Sequence, residues 1–357
     1  MKCWVRIVRR VSPFRFCSGF ARGFGNRSFG KPGRLGRAGI HLLLLALATG
    51  ALSQETTFHS QSNVVVIPAL VKSAKGEIVY GLGAKDFLVE DDGVEQAVRL
   101  DEAAEGSQVS LVIAIQRGRR ANYEFSRIRG LSAMLDPMVE AGQARVAIVE
   151  FDSQVQLVQD FSSNSERIAE NLKELQPGDG GAAIVDAVDY SVKLLEKAPK
   201  ERQRVLLLIS ETRDHGSHAA KVEDVVAEIG QSSTAVYALA FSPSRSNVLD
   251  TMRGNNINEM HPGPDLLAPL VMAVEAMRKN TPQTVASMTG GEYEMFATGK
   301  NFDLRMIDFT NHLHSRYLLS IEPKSPHAGM HRIRVRLRDP RDRAVLARSS
   351  YWAAGTN

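Results

Sequence analysis

Continuous runs of apolar residues alternate with amphipathic segments through the middle of the chain, and this alternation most restricts the fold. The runs VSLVIAI (109–115) and RVLLLIS (204–210) have the length and composition of strands buried on both faces. Between them, residues 183–197 have apolar side chains at helical spacing. Strands that alternate with helices favour a mostly parallel sheet with helices on both faces. The sequence therefore predicts an α/β domain over residues 107–316.

The same two patterns predict the other elements of this domain. The predicted strands are at 145–151, 155–161, 235–241 and 292–296. The predicted helices are at 122–140, 163–175, 219–230, 265–279, 281–289 and 302–316. Ser163 followed by Glu166 is a capping box, which predicts that the second of these helices begins at Ser163.

Both ends of the chain contain strand patterns without helices between them. On the amino-terminal side, strands are predicted at 63–70, 77–80 and 87–90, with a turn at Asp91-Asp92-Gly93. On the carboxyl-terminal side, they are predicted at 317–323, 331–339 and 345–352. Neither group has much core alone, so we expect them to pair antiparallel in one small β-sandwich-like module. The predicted domains are a leader (1–53), an amino-terminal β module (54–106), the α/β domain (107–316) and carboxyl-terminal strands (317–357).

The first 53 residues have the pattern of an export signal. They contain ten Lys or Arg residues and no Asp or Glu, and they end in the apolar run IHLLLLALATGAL (40–52). Small residues near Ser53 suggest cleavage after that residue and export to the periplasm or the outside. Because about 20 residues are needed to cross a bilayer, a permanent membrane tether through 40–52 is the weaker alternative.

Charge and cysteine content exclude some function classes for the rest of the chain. Beyond residue 53 there are 34 basic and 40 acidic residues, so the pI of about 9.0 is no argument for nucleic-acid binding. Both cysteines, Cys3 and Cys17, lie in the leader. The mature chain is therefore predicted to have no disulfide, no cysteine nucleophile and no thiolate metal site.

In an open α/β sheet, ligands bind at the carboxyl ends of the strands. The segments at these ends are loops 116–120, 179–182 and 211–218, which we together call the rim. The order of the rim segments, with "KDFLVEDDG" (85–93), "TGGEYEMF" (289–296) and "SRYLLSIEP" (315–323), resembles the von Willebrand factor type A domain. The similarity is greatest to the exported acidobacterial VWFA-related group, and it covers about residues 63–352. It implies a Rossmann-like fold and a role in protein–protein interaction.

The resemblance also implies a divalent-cation site, the metal-ion-dependent adhesion site. Its usual ligands are an Asp-x-Ser-x-Ser run, a Thr in a Gly-Gly-Thr-Ala loop and an Asp after a later strand, because hard cations need oxygen ligands. This sequence departs at every position: the corresponding residues are Ala114, Gln116, Gly118, Ala182 and Glu211. Arginines at 117, 119 and 120 add positive charge beside them, which opposes cation entry. We therefore predict a degenerate site without a metal ion.

The arginines suggest another way for the rim to bind a partner. An arginine can contact a partner's carboxylate bidentately, with no ion between them. The candidate contact residues are Gln116, Arg117, Arg119, Arg120, Asp179, Glu211 and Asp214. The alternative is that Arg117 pairs inside the molecule with Glu211 or Asp179.

Three other patterns favour ordinary structural roles. Asp214, His215 and His218 fit no well-known zinc spacing and are interpreted as a polar loop. The "GDGG" segment (178–181) lacks a phosphate-binding lysine and is interpreted as a turn. Arginines alternate with apolar residues along 332–338, which is typical of a solvated sheet face.

These observations predict an exported, non-enzymatic module that binds a protein partner and uses no cofactor, small-molecule substrate or nucleic acid. One alternative is a cell-envelope scaffold that makes its contacts through the β module. The other is a hydrolase acting in the same cleft, which is disfavoured because no nucleophile–base set or cofactor motif is identifiable.

Overall fold

Buried strands alternate with helices through the middle of the molecule. The structure, a computed structural model, describes residues 64–101, 108–118, 128, 130–241, 268–324 and 326–354, which all fall in one compact unit, Gln61–Asn357. The strands are β1 (Val65–Ser73), β2 (Phe87–Asp91), β3 (Val94–Gln96), β4 (Arg99–Asp101), β5 (Val109–Gln116), β6 (Ala144–Phe151), β7 (Val155–Ser162), β8 (Gln203–Ser210), β9 (Ala235–Phe241), β10 (Tyr293–Phe296), β11 (Tyr317–Ile321), β12 (Gly329–Leu337), β13 (Arg343–Ala347) and β14 (Ser350–Ala353). The α-helices are α1 (Leu131–Glu140), α2 (Ser165–Lys173), α3 (Ile184–Glu196), α4 (Val222–Gln231), α5 (Ala268–Lys279), α6 (Thr281–Thr289) and α7 (Gly299–Leu313).

The central sheet has six strands in the order β10-β9-β8-β5-β6-β7. All neighbours pair parallel except β7, which pairs antiparallel with β6. All eight residues of β5 are buried, and successive side chains face opposite sides of the sheet. Helices α1, α2 and α7 cover one face, and α3, α4, α5 and α6 cover the other. The predicted α/β class, with helices on both faces, is confirmed.

Two four-stranded antiparallel sheets, in the orders β13-β1-β11-β4 and β14-β12-β2-β3, combine strands from both chain ends. Ile67 of β1 and Leu319 of β11 share an apolar cluster with Phe87 of β2 and Ile333 of β12. The cluster lies between the two sheets, so the predicted β-sandwich-like module is confirmed. The domain boundaries at 54, 107 and 317 stay predictions.

Some predicted elements differ from the structure. Residues 77–80 form no strand, because only Ile78 bridges to Lys72. Helix α2 begins at Ser165, two residues later than predicted, since the side chain of Asn164, not Ser163, accepts the Arg167 N–H at 2.9 Å. Helix α7 lies over Gly299–Leu313 rather than 302–316.

The predicted strand at 345–352 is divided into β13 and β14 at Arg348. This buried side chain donates to the carbonyl oxygens of Ile229, Gly230 and Ser232, at the carboxyl terminus of α4. Burial lowers the pKa of Arg348 to about 10. Helix carboxyl ends attract cations, so the guanidinium compensates the unpaired carbonyls of α4.

The predicted leader (1–53), which includes the apolar run 40–52 and both cysteines, lies outside the described residues. Among the described residues, no helix is both long and apolar enough to cross a membrane.

The "TGGE" segment joins the central sheet to the β strands of the chain ends. Gly290 ends α6 with a φ of 77°, and a Cβ there would lie 2.6 Å from the backbone nitrogen of Arg348. A Cβ on Gly291 would lie 1.9 Å from the carbonyl oxygen of Val236. Both positions therefore require glycine, which lets the following residue, Glu292, enter the interior.

The Glu292 cluster consists of Glu292, Lys72, His312 and Arg316. The carboxylate accepts from Lys72 Nζ at 2.7 Å and from His312 Nδ1 at 2.9 Å, and it lies 3.4 Å from Arg316 Nη2. Burial favours a raised pKa for Glu292, but the hydrogen bonds from His312 and Lys72 and the charges of Lys72 and Arg316 lower it to about 2. Since Lys72 lies on β1, this cluster connects the β module to the α/β domain.

Glu292→Gln is expected to destabilise the protein by about 3–5 kcal/mol near neutral pH, because it leaves buried cations without a counter-charge. The depressed pKa stabilises the fold above the ordinary value of 4.5, and this contribution is lost as the pH falls towards about 2. The difference between wild type and variant should therefore shrink on acidification. Urea unfolding at several pH values measures it; a difference independent of pH would contradict this role.

Candidate functional site

The rim lies at the edge of the central sheet where the parallel strands end. Gln116 is the last residue of β5, and Glu211 directly follows β8. Loop 179–182 leads into α3, and the backbone N–H of His215 donates to the Ala182 carbonyl at 3.0 Å. The structure thus brings the three rim loops together. Arg119 and Arg120 lie outside the described residues.

Gln116 and Glu211 form a reciprocal pair. The Gln116 Nε2 donates to Glu211 Oε1 at 2.8 Å, and the Glu211 backbone N–H donates to Gln116 Oε1 at 2.8 Å. His215 Nε2 lies 2.6 Å from the same Glu211 Oε1. Gln116 is 1% exposed and Glu211 4%, so both lie below the surface rather than on it. The amide and the carboxylate satisfy each other, as buried polar groups must.

Gly118 lies against loop 179–182. A Cβ on this residue would lie 2.4 Å from the Gly181 carbonyl oxygen and 3.3 Å from Gln116 Nε2. A serine cannot enter this position unless the loop moves. The backbone of the loop therefore occupies the space beside Gln116.

Ala114 lies away from the rim. It is fully buried in the apolar cluster beneath α3, in the interior of β5 and opposite Leu208 of β8. Side chains two residues apart in a strand share a face, so Ala114 precedes Gln116 on the same side of the sheet. The strand ends at Gln116, which corresponds to the first serine of the implied ligand run.

The five positions that correspond to the implied cation ligands do not fit a hard divalent cation. Ca²⁺ and Mg²⁺ need about six oxygen ligands in an open arrangement. Of the five predicted positions, only Gln116 and Glu211 have side-chain oxygen atoms, and both side chains are already engaged in their mutual hydrogen bonds. Ala182 has no side-chain oxygen and is fully buried.

Arg117 forms ion pairs with two acidic side chains at the carboxyl end of β6. Its Nη1 lies 3.4 Å from Glu150 Oε2, and its Nε lies 3.1 Å from Asp152 Oδ2. Burial raises the pKa of Glu150, Arg117 lowers it, and Asp152 raises it further. The prediction of internal pairing with Glu211 or Asp179 therefore has the wrong partners. The sequence indicates the correct partners through the segment "EFD" (150–152), which ends a predicted strand and therefore lies at the same edge of the sheet as Gln116.

Asp179 and Asp214 hold the rim backbone in place. Asp179 Oδ1 accepts the N–H groups of Ser153 at 3.1 Å and Gly181 at 2.7 Å. The hydroxyl of Ser153 and these backbone groups lower the pKa of Asp179. Asp214 Oδ1 accepts the Val185 N–H at 3.0 Å, so it caps the amino terminus of α3 from another loop.

Asp186, on the first turn of α3, is a structural residue that the sequence analysis does not identify. Its buried carboxylate accepts the backbone N–H groups of His218, Ala219 and Ala220 at 2.8–3.2 Å. The second half of loop 211–218 is thereby fixed to α3. The sequence feature that could identify Asp186 is its position as an acidic residue on the mainly apolar face of α3.

The remaining sequence candidates have partners within the molecule. His215 contacts Glu211, Asp214 caps α3, and His218 Nδ1 lies 3.1 Å from the Gly216 carbonyl. These three side chains are not directed at a common point. Arg336 on β12 forms an ion pair with Glu90 on β2, and Arg338, directly after β12, forms one with Glu95 on β3.

Residues 117–215 match the profile of the von Willebrand factor type A domain. They include Arg117, the loop before α3, and loop 211–218 as far as His215, within the strand order described above. This segment of the chain is part of a von Willebrand factor type A domain. The resemblance drawn from the rim segments is confirmed. No curated protein matches the chain in sequence.

Three solved structures are similar to this type A domain protein at low sequence identity. BatB from Bacteroides thetaiotaomicron is 13% identical over 57% of this chain and 98% of its own, with a TM-score of 0.38. The PilB minor pilin from Streptococcus sanguinis is 12% identical over 61% and 64%, with a TM-score of 0.40. The pilus adhesin SpaC from Lactobacillus rhamnosus GG is 11% identical over 64% and 34%, with a TM-score of 0.37. At these values the activities of the three proteins say nothing about the activity of this chain.

Arg117→Met is expected to lower the free energy of unfolding by about 2–3 kcal/mol, because Glu150 and Asp152 lose their cation. The loss should decrease on acidification, since protonated Glu150 needs no counter-charge. Urea unfolding measures it, with Arg213→Met as the matched control on the same rim; exposed Arg213 should cost less than about 0.5 kcal/mol. Equal effects of the two substitutions would contradict the internal role of Arg117.

Proposed function

We propose that this protein is an exported, non-enzymatic module that binds another protein through the rim of its type A domain without a bridging metal ion. The observation that supports this most directly is the Gln116–Glu211 pair. A cation at the rim would have to break two buried hydrogen bonds, and three of the five implied ligand positions, Ala114, Gly118 and Ala182, have no side-chain oxygen to offer it. The proposal includes export through the leader 1–53 and a degenerate cation site.

Direct recognition replaces the ion in this proposal. Arg213 and His215 are exposed on loop 211–218, and Arg119 and Arg120 directly follow Gly118 in the chain. A partner that offers Asp or Glu side chains would match these groups, because guanidinium and carboxylate form bidentate hydrogen bonds. The internal contacts of Arg117, Asp179 and Asp214 give this surface a fixed shape, which lowers the entropy cost of binding.

The hydrolase alternative has less support. The carboxylates of Asp179 and Asp214 on the rim, and of Asp186 on α3, accept hydrogen bonds from backbone N–H groups. A carboxylate engaged in this way holds the backbone and is not positioned as a general base. Glu211 is likewise engaged by Gln116 and His215.

Site-specific photocrosslinking in the native host tests the proposal. A photoreactive residue in place of Arg213 should capture a defined protein, whereas one in place of Lys200 should not. Both positions are exposed, but Lys200 precedes β8 and therefore lies at the opposite edge of the sheet. The capture of no protein from position 213, or of the same proteins from both, would contradict the proposal.

A third photoreactive position distinguishes the scaffold alternative. Val94, on the β2–β3 hairpin, is 64% exposed and belongs to the β module. A defined crosslinked protein at position 94, together with none at position 213, would indicate that the β module and not the rim binds the partner. For a partner captured at the rim, Arg213→Glu should weaken binding at least about 10-fold, and Lys200→Glu should leave it unchanged.

A further inference from the structure

A second group of polar side chains lies in the β module, away from the rim. Asp91 and Asp92 lie at the β2–β3 turn, His331 on β12 and Tyr351 on β14, and His327 lies in the connection before β12. We call these five residues the His331 cluster. They come from both ends of the chain, because β2 and β12 pair in one sheet.

Both ring nitrogens of His331 have acceptors opposite them. Its Nε2 lies 2.9 Å from the backbone carbonyl of His327. Its Nδ1 lies 2.9 Å from Asp92 Oδ2 and 3.2 Å from Asp91 Oδ1. His331 itself is buried, with 3% of its surface exposed. In a neutral ring that donates through Nε2, the Nδ1 lone pair would face two carboxylates, and that repulsion requires a positive species between them.

A proton on Nδ1 is one such species. A metal ion is the other, since metals and protons compete for the same lone pair.

Further ligand atoms converge on the same place. One ligand atom each of Asp92, His327 and His331 lie within 4.8 Å of one another. The His327 and His331 rings lie side by side, with centroids 3.9 Å apart and their planes tilted by 31°. Two imidazoles with a carboxylate suit zinc, nickel or copper rather than calcium or magnesium. Asp92 is partly exposed, so water molecules could complete the coordination shell of a metal ion.

Outer contacts orient these ligands. The Arg332 N–H donates to Asp92 Oδ1 at 2.9 Å, which leaves Oδ2 directed at His331. The Tyr351 hydroxyl donates to Asp91 Oδ2 at 3.0 Å. The contact between His331 Nε2 and the His327 carbonyl fixes the tautomer that has its lone pair on Nδ1. Such supporting hydrogen bonds are typical of protein metal sites.

We propose that Asp92, His327 and His331 bind one divalent transition-metal ion of the zinc type, which takes the place of the proton on His331 Nδ1. Asp91 is close enough to add a further oxygen. The ion would join the β2–β3 turn to β12 and so stabilise the module formed by both chain ends. This site is independent of the rim and of the proposed function.

Titration of the metal-stripped full chain with Zn²⁺, followed by calorimetry, tests the site. Wild type should bind, and both Asp92→Asn and His327→Gln should lose one equivalent or bind it at least about 10-fold more weakly. The matched control is His314→Gln, an exposed histidine at the end of α7, which should bind like wild type. Any binding by Cys3 and Cys17 is common to all four proteins and does not affect the difference.

The two variants are expected to fold. Asp92 has a φ of 47°, and asparagine tolerates this left-handed conformation as well as aspartate does. His327 is only partly buried, so its replacement leaves the core intact. A melting temperature without metal close to that of wild type checks this. Absence of Zn²⁺ binding by wild type, or equal binding by wild type and His327→Gln, would overturn the proposal.

Discussion

The parallel pairing of β5, β6 and β8 determines the chemistry of the rim, because it brings the ends of three strands to one edge. Each strand end there has a polar or acidic residue: Gln116, Glu150 with Asp152, and Glu211. Groups so close together and partly buried must satisfy one another. Gln116 pairs with Glu211, and Arg117 pairs with Glu150 and Asp152 at the end of β6. The proposed loss of the cation site follows from this self-contained network.

A second constraint is that the strands of the two chain ends cannot form a stable module separately. They share an apolar cluster and are joined to the α/β domain by the Glu292 cluster. The Glu292 cluster and the His331 cluster have opposite arrangements of charge. At Glu292, cations surround one buried carboxylate, whereas at His331, two carboxylates face one buried ring. The second arrangement needs a positive species in its centre, which is why it suits a metal ion.

Residue patterns predict the fold well and the site only in part. Runs such as 109–115 identify the buried strands, because a strand that is covered on both faces consists almost entirely of apolar residues. Arg348 could not be identified, since its partners are backbone carbonyls of α4 far away in the sequence. The partners of Arg117 were missed because the end of β6 was not included among the strand ends. The His331 cluster depends on the pairing of β2 with β12, which no local pattern specifies.

The most direct test of the central claim is the thermal unfolding of the full chain, dialysed against EDTA, before and after addition of ~10 mM Mg²⁺. Magnesium is the appropriate probe, because it prefers oxygen ligands and the His331 cluster favours softer metals. The account predicts no change in the midpoint. A cation site with a Kd of ~0.1 mM would add about 2.7 kcal/mol and raise the midpoint by a few degrees. A rise of that size would contradict the metal-free rim.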